Sequence, residues 1–262
     1  MAFSLAVAGK GGIGKTSLAA LLIHSLIERG KGPVLAVDAD PNPSLGFYLG
    51  HPVEMTISDL RNDLLDRIRK LSPGVTKDEY LELGIQECLS EARGFDLLAM
   101  GAGEGPRCYC AINSVLRRCI DRLSKAYPYV VMDNEAGLEH LSRCTTQDID
   151  VLLIVSNGHP ASLQAANRVR ELTEKLALRI GRRYLVLNDA IDSGDAAWCA
   201  EQAHQTGLEL LGVVPTDEAF RDASRRGQPL MVLPEDSPAR VAARTILEGA
   251  LSGKAPAMEM AK

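Results

Sequence analysis

Gly9-Lys10-Gly11-Gly12-Ile13-Gly14-Lys15-Thr16-Ser17 is the stretch that decides the fold. It follows the short apolar run Phe3–Ala8 and opens the segment Gly14–Arg29, which carries a continuous apolar face and stops at Gly30. A strand running through a glycine-rich turn into a helix is the setting in which Gly-x-x-x-x-Gly-Lys-Thr binds phosphate. Gly11, Gly12, Ile13 and Gly14 offer backbone N–H groups that converge on phosphate oxygens, and the helix N-terminus adds positive potential. Lys15 is predicted to reach the β- and γ-phosphates, the Thr16 hydroxyl to ligate Mg²⁺, and the Ser17 hydroxyl to bond the α-phosphate.

Outward from this loop, short aliphatic runs alternate with segments of helical period. Strands are predicted at Phe3–Ala8, Pro33–Asp38, Phe95–Met100, Tyr129–Asp133, Asp150–Val155, Arg183–Asn188 and Glu209–Val214. Each is apolar on both faces, as parallel strands covered on both sides are. Helices are predicted at Gly14–Arg29, Ser58–Lys70 on a Ser cap, Asp78–Ala92, Asn113–Lys125, Pro160–Leu176, Asp195–His204, Asp217–Arg226 and Ser237–Leu251. The rhythm implies an α/β fold: a mostly parallel seven-stranded sheet with helices on both faces. Residues 1–251 read as a single domain and 252–262 as a flexible tail. Gly50–Arg93 holds two helices where one would suffice. It reads either as a lid or partner-contact region or as a longer crossover.

Composition narrows the function classes. A chain of 262 residues suits one large domain or two small ones. The 29 Lys+Arg against 34 Asp+Glu leave a net charge of −5, which argues against nucleic acid as the main partner. Six Cys are too sparse for a disulfide scaffold. The apolar start Ala2–Ala8 is too short for a signal peptide and lacks a basic flank, and later apolar runs such as Val151–Val155 are strand-length. No membrane span and a cytoplasmic location are therefore expected.

Acidic and amide side chains close several predicted strands. In Asp38-Ala39-Asp40-Pro41 two carboxylates stand two residues apart, so on a strand both face one way at the edge where ligands bind. Val130-Val131-Met132-Asp133 is an apolar run closed by an acid, placing Asp133 to hold Mg²⁺ through water. Asn188 closes Leu185-Val186-Leu187, a place where Asn forms turns.

Lys10, a second lysine within the loop, makes the motif resemble the deviant Walker A pattern, KGGxGK[ST], of the MinD/ParA/nitrogenase-iron-protein class of P-loop ATPases. The resemblance implies that Lys10 reaches across a homodimer interface to the partner's nucleotide. It makes Asp40 the group that orients the attacking water, with Asp38 assisting around the metal. Asp133-Asn134-Glu135-Ala136-Gly137 then resembles a switch that senses the γ-phosphate through the Gly137 amide. Asn188 would read the adenine edge, and Val214-Pro215-Thr216-Asp217 would supply a second adenine contact through Pro215. Asp189 follows Asn188 where a guanine-specific Asn-Lys-x-Asp would have Lys, which favours ATP and ADP.

Cys108-Tyr109-Cys110 lies beyond the third predicted strand. Two thiols one residue apart half-coordinate a metal; two such pairs on a two-fold axis make a four-thiolate site for Zn²⁺ or Ni²⁺. Packed thiols and a redox pair are the other readings. Cys88, Cys119, Cys144 and Cys199 fall in apolar helical patterns, where burial is the default.

The deviant loop, Cys108-Tyr109-Cys110 and the run from Asp133 through Glu139-His140-Leu141 to Arg143 together resemble the CooC family, nickel-insertion ATPases that mature carbon monoxide dehydrogenase and related acetyl-CoA synthase. The resemblance spans Phe3 to about Leu251. It implies an ATP-closed homodimer, Ni²⁺ on Cys108 and Cys110 of both subunits, and delivery to such a nickel enzyme. It assigns no role to His140 and leaves Cys144 as an alternative ligand. A nitrogenase-type iron protein would place a cluster cysteine where His140 stands. A MinD-like positioning ATPase would want a basic amphipathic C-terminal helix, yet Ser237–Leu251 carries only Arg240 and Arg244. A ParA-like partition ATPase would want a basic DNA surface.

Overall fold

Successive residues of each strand point to opposite faces of the sheet, and in this chain both faces are apolar, so the sheet builds a core on each side. The computed structural model describes residues 2–67, 76–102, 118, 120–134, 148–175, 179–189 and 195–253. Among them, strands β1 (Phe3–Gly9), β2 (Val34–Asp38), β3 (Leu89–Ala92), β4 (Phe95–Ala99), β5 (Tyr129–Asp133), β6 (Asp148–Ser156), β7 (Arg179–Asn188) and β8 (Glu209–Val214) form one eight-stranded sheet. The order is β3-β4-β2-β5-β1-β6-β7-β8. All neighbours are parallel except β3 and β4.

Helices α1 (Lys15–Glu28), α2 (Leu45–Leu49), α3 (Ile57–Arg67), α4 (Lys77–Glu87), α5 (Pro160–Lys175), α6 (Ala196–Thr206), α7 (Glu218–Arg225) and α8 (Pro238–Ser252) cover it, and residues 120–124 are also helical. On one face, Leu18, Leu22 and Leu26 of α1 and Ile246 of α8 share a core with Leu5, Val7, Val131 and Leu153 of the sheet. On the other, Leu60 of α3, Ile85 of α4, Val169 of α5 and Cys199 of α6 share a core with Ala6, Ala8, Val37 and Leu185. Arg240 and Arg244 of α8 both donate to the Glu28 carboxylate of α1, so α8 braces the helix that follows the glycine loop. Buried His24 lies 3.6 Å from Glu28. Burial above all lowers its pKa, and the two arginines add to this against the pull of Glu28, so the ring is neutral and the contact is not an ion pair.

The structure corrects three expectations. The sheet has an eighth strand, because the helix expected over Asp78–Ala92 stops at Glu87 and Leu89–Ala92 turns back against β4. The hinge is the two-residue turn Arg93-Gly94, where Gly94 takes φ +90°, a conformation that favours glycine. Helix α3 starts one residue earlier than Ser58 and is capped by Thr56: Thr56 N–H donates to Asp59 at 2.9 Å and Asp59 N–H donates back to the Thr56 hydroxyl at 3.2 Å. Finally, β2 ends at Asp38, so Asp40 is not on a strand with it.

Candidate nucleotide-binding site

The C-terminal ends of β1, β2, β5, β7 and β8 open onto one edge of the sheet. Register fixes them together: Val7 and Asp38 are both Cα partners of Asp133 on the intervening strand β5. A cleft of about 620 Å³ lies over this edge. It is lined by Gly11 to Leu18, by Asp40, Asn42, Ser44 and Tyr48, and by Asn188, Asp189, Pro215, Asp217, Phe220 and Arg221.

At the phosphate end Gly14 caps α1 with φ +84°. That left-handed φ favours glycine, and a Cβ there would also come within 2.3 Å of the Asn188 side-chain nitrogen. Asn188 donates through that nitrogen to the Ile13 carbonyl at 2.7 Å, pinning the loop from the end of β7. Lys15 is buried, and its ammonium donates to the Lys10 carbonyl at 3.2 Å across the mouth of the loop. The Lys10 residue is exposed.

Asp133 is 1% exposed and shares a side-chain hydrogen bond with Thr16. Burial above all pushes its pKa up to about 7, helped by the Asp38 and Asp40 charges and opposed by Thr16 and Lys15. Its Oδ1 is buried without a hydrogen-bond partner. A hydroxyl beside a buried carboxylate with an unused oxygen is a hard-oxygen pair of the kind that suits Mg²⁺, directly or through water. These residues fit the ion.

Asp38 requires a correction. It is fully buried beneath the loop rather than lining the cleft: its carboxylate accepts from the backbone N–H of Asp40 at 3.1 Å, Ser44 at 2.8 Å and Leu45 at 2.8 Å. It shapes the segment that carries Asp40 and starts α2. Asp40 does line the cleft, with its own carboxylate accepting from Asn42 N–H at 2.8 Å. Ile13, Ser17, Asn188 and Pro215 line it too. Gly137, Cys108, Cys110, His140 and Cys144 lie outside the described residues. Among those described, no group of three or more His, Cys, Asp or Glu could hold a metal, and no helix is long and apolar enough to cross a membrane.

Sequence reasoning missed Tyr48, Phe220 and Arg221, and met Asp189 only as the residue that departs from a guanine-reading motif. Asp189 has φ +49°, accepts from the Thr216 hydroxyl at 2.6 Å and lies 3.5 Å from the Arg221 guanidinium, tying the β7 end to α7. Its place directly after the strand-closing Asn188 is the signal that could have found it. Asp217, expected as the first residue of its helix, is instead the cap of α7: it accepts from Phe220 N–H, while its other oxygen accepts from Ser237 and from Ala239 N–H at the start of α8.

Known proteins place this geometry. Residues 5–230 match the model of the CobQ/CobB/MinD/ParA nucleotide binding domain. An uncharacterized ATP-binding protein of Methanocaldococcus jannaschii is 39% identical over 235 residues, covering 89% of this chain and 92% of its own. The carbon monoxide dehydrogenase accessory protein CooC of Rhodospirillum rubrum is 31% identical over 239 residues, 85% of this chain and 87% of its own. The MinD cell division protein of Aquifex aeolicus superposes with a TM-score of 0.69 at 23% identity, over 98% of this chain and 99% of that one, a likeness of fold. The glycine loop, the Thr16–Asp133 pair and the family match over most of the chain agree: this protein belongs to the CobQ/CobB/MinD/ParA family and is a P-loop ATPase.

Proposed function

We propose that this chain is an ATP-hydrolysing metallochaperone. As a homodimer it binds nickel on Cys108 and Cys110 of both subunits and couples ATP hydrolysis to nickel insertion into an enzyme of the carbon monoxide dehydrogenase or acetyl-CoA synthase type. One observation carries the reading: the segment bearing Cys108 and Cys110 leaves the sheet at the end of β4, whose Ala99 is the Cα partner of Asp38, the residue that shapes the nucleotide loop. β4 thus ends on the sheet edge that carries the nucleotide cleft, nine residues before Cys108 in the sequence. The similarity to the CooC relative of Rhodospirillum rubrum supports it.

Each residue has a task in this scheme. The loop amides from Gly11 to Gly14, with Lys15 and Ser17, hold the phosphates. Asp40 orients water in line with the γ-phosphate. Lys10, exposed, reaches the nucleotide of the second subunit, and Gly137 reports the γ-phosphate. Thr16, and Asp133 through water, would hold Mg²⁺, which would offset charge developing on the transferring phosphoryl group. A metal site and a nucleotide site that share one dimer axis are thermodynamically linked, so each ligand changes the other's affinity by the same factor. Zn²⁺ fits four thiolates as well and is the competitor to exclude.

A positioning ATPase of the MinD kind is the second reading, and the Ser237–Leu251 segment counts against it. Arg240 and Arg244, its two basic residues, are engaged by Glu28 of the same chain, and Arg240 is buried. They form no free basic face for a membrane surface.

Anaerobic nickel titration of the reduced protein, with and without ATP, tests the proposal through the charge-transfer absorption of a nickel–thiolate. One ion per dimer is expected, with an affinity that changes on ATP addition. The Cys108→Ser variant is expected to keep its basal hydrolysis and lose stoichiometric binding. Tight binding of one nickel per dimer by that variant would remove the cysteine assignment.

A further inference from the structure

Among the described residues other than glycine, Asp189 alone has a positive φ, +49°. Asp tolerates that region better than most residue types, and where it occurs the surroundings hold it there. Here the Asp189 N–H donates to the Val214 carbonyl at 2.9 Å, and its carboxylate accepts from the Thr216 hydroxyl at 2.6 Å. The Arg221 guanidinium lies 3.5 Å from the same carboxylate and donates to Glu218 at 3.1 Å. Thr216 and Arg221 both meet one oxygen of Asp189, Oδ1. Asp189 and Arg221 line the nucleotide cleft beside Asn188, Pro215 and Phe220. Pro215 and Phe220 give that wall apolar side chains, against which an aromatic base can pack.

We propose that Asp189, Thr216 and Arg221 form a selectivity filter for the base, in which Thr216 and Arg221 keep the Asp189 carboxylate from accepting guanine. Guanine presents two adjacent donors, N1–H and N2–H, and a free carboxylate accepts both in a charge-assisted, two-oxygen contact. Adenine presents an unprotonated N1 beside its N6–H, so it offers a carboxylate one bond and sets a lone pair against the charge. An unrestrained carboxylate on this wall would therefore draw GTP. With Oδ1 engaged by a hydroxyl and a guanidinium, the two-oxygen face is broken, and the Arg221 charge offsets that of Asp189. Thr216 and Arg221 are thus positioning residues that act through Asp189. The ion pair is solvent-exposed and contributes little to stability; what it fixes is the direction of the carboxylate.

The inference rests on the base lying along the wall that carries Asn188 and Pro215, and it is independent of the metal reading. Competition against a fluorescent ATP analogue, on the full-length protein, gives the dissociation constants of ATP, GTP, ITP and inorganic tripolyphosphate. In the double variant Thr216→Val, Arg221→Leu, GTP is expected to tighten relative to ATP by at least about 5-fold, the discrimination that one two-oxygen contact supplies. ITP lacks the 2-amino group and is expected to gain less than GTP. Adding Asp189→Asn, which replaces one acceptor oxygen with a donor, is expected to cancel the gain. Tripolyphosphate has no base, and its binding is expected to stay as in the parent. All three residues are exposed, so these substitutions leave the core intact. A gain of GTP affinity is also a result that loosened packing would not give.

A GTP-to-ATP ratio that stays at the parent value in the double variant overturns the filter, and so does a gain for GTP that survives Asp189→Asn. A change for tripolyphosphate as large as that for ATP overturns the filter and the placement of the base beside Asn188 together, because the residues would then act at the phosphates.

Discussion

Asp133 illustrates how one buried carboxylate can weigh against the fold and serve the ligand. Its pKa is pushed from the ordinary carboxylate range up to about 7, by burial first. Between those values the native state holds a proton that the unfolded state has released. Its stabilising contribution is therefore complete below about pH 4 and lost as pH rises through about 7. A shift of that size corresponds to at most about 4 kcal/mol. In nucleotide-free protein at pH 8, Asp133→Asn is expected to melt about 5–10 °C above the parent, and the gap is expected to narrow towards pH 5. Calorimetry at the two pH values checks this; an offset that does not change with pH would mean the charge is not responsible. The same scale shows what a motif can and cannot tell. Lys15 and Thr16 line the cleft because the strand–loop–helix that carries them leaves little freedom, and Pro215 reaches it from the end of β8. Asp38 does not, because its partners are amides of its own loop, a local choice that no spacing of residue types announces.

The glycine loop is held at both ends as an element, by strand β1 behind it and by Asn188 from β7 in front. Removing the Asn188 donor frees the Ile13 carbonyl and loosens the loop before any phosphate arrives. Asn188→Ala is expected to weaken ATP binding by about 5- to 10-fold, near 1 kcal/mol. Asn188→Asp, which faces the same carbonyl with an acceptor, is expected to weaken it further. Equilibrium binding of a fluorescent ATP analogue measures both. An Asp variant that binds better than the Ala variant would show that the side chain acts on the base alone. Elements are legible in proportion to their length. The long apolar strands and α1 are plain from periodicity. Leu89–Ala92 is not, because four residues at the end of an amphipathic helix continue its pattern, and only Gly94 betrays the hairpin. Thr56 and Ser58 compete for the cap of α3, and the reciprocal Thr56–Asp59 bonds decide between them.

At the scale of the whole molecule, a βα rhythm implies a parallel sheet, but strand order rests on contacts far apart in sequence. That β1 sits between β5 and β6, with β2 beyond β5, is what brings Asp133 beside both the glycine loop and Asp38. No window of sequence contains that. The sheet also separates its two edges. Phosphate chemistry gathers where the parallel strands end, whereas turns such as Gly207, between α6 and β8, lie where they begin. Single-residue insertions within β5 are expected to abolish nucleotide binding, because Asp133 would leave its register with Val7. A three-residue insertion after Gly207 is expected to leave binding within about 2-fold of the parent. Equilibrium binding on both variants checks the contrast, and a functional β5 insertion would refute it. For anyone wishing to watch this protein at work, the polarity of the sheet is practical: a fluorophore, an affinity handle or a new pair of chain ends belongs at the Gly207 side, where the reporter can be read without touching the machine.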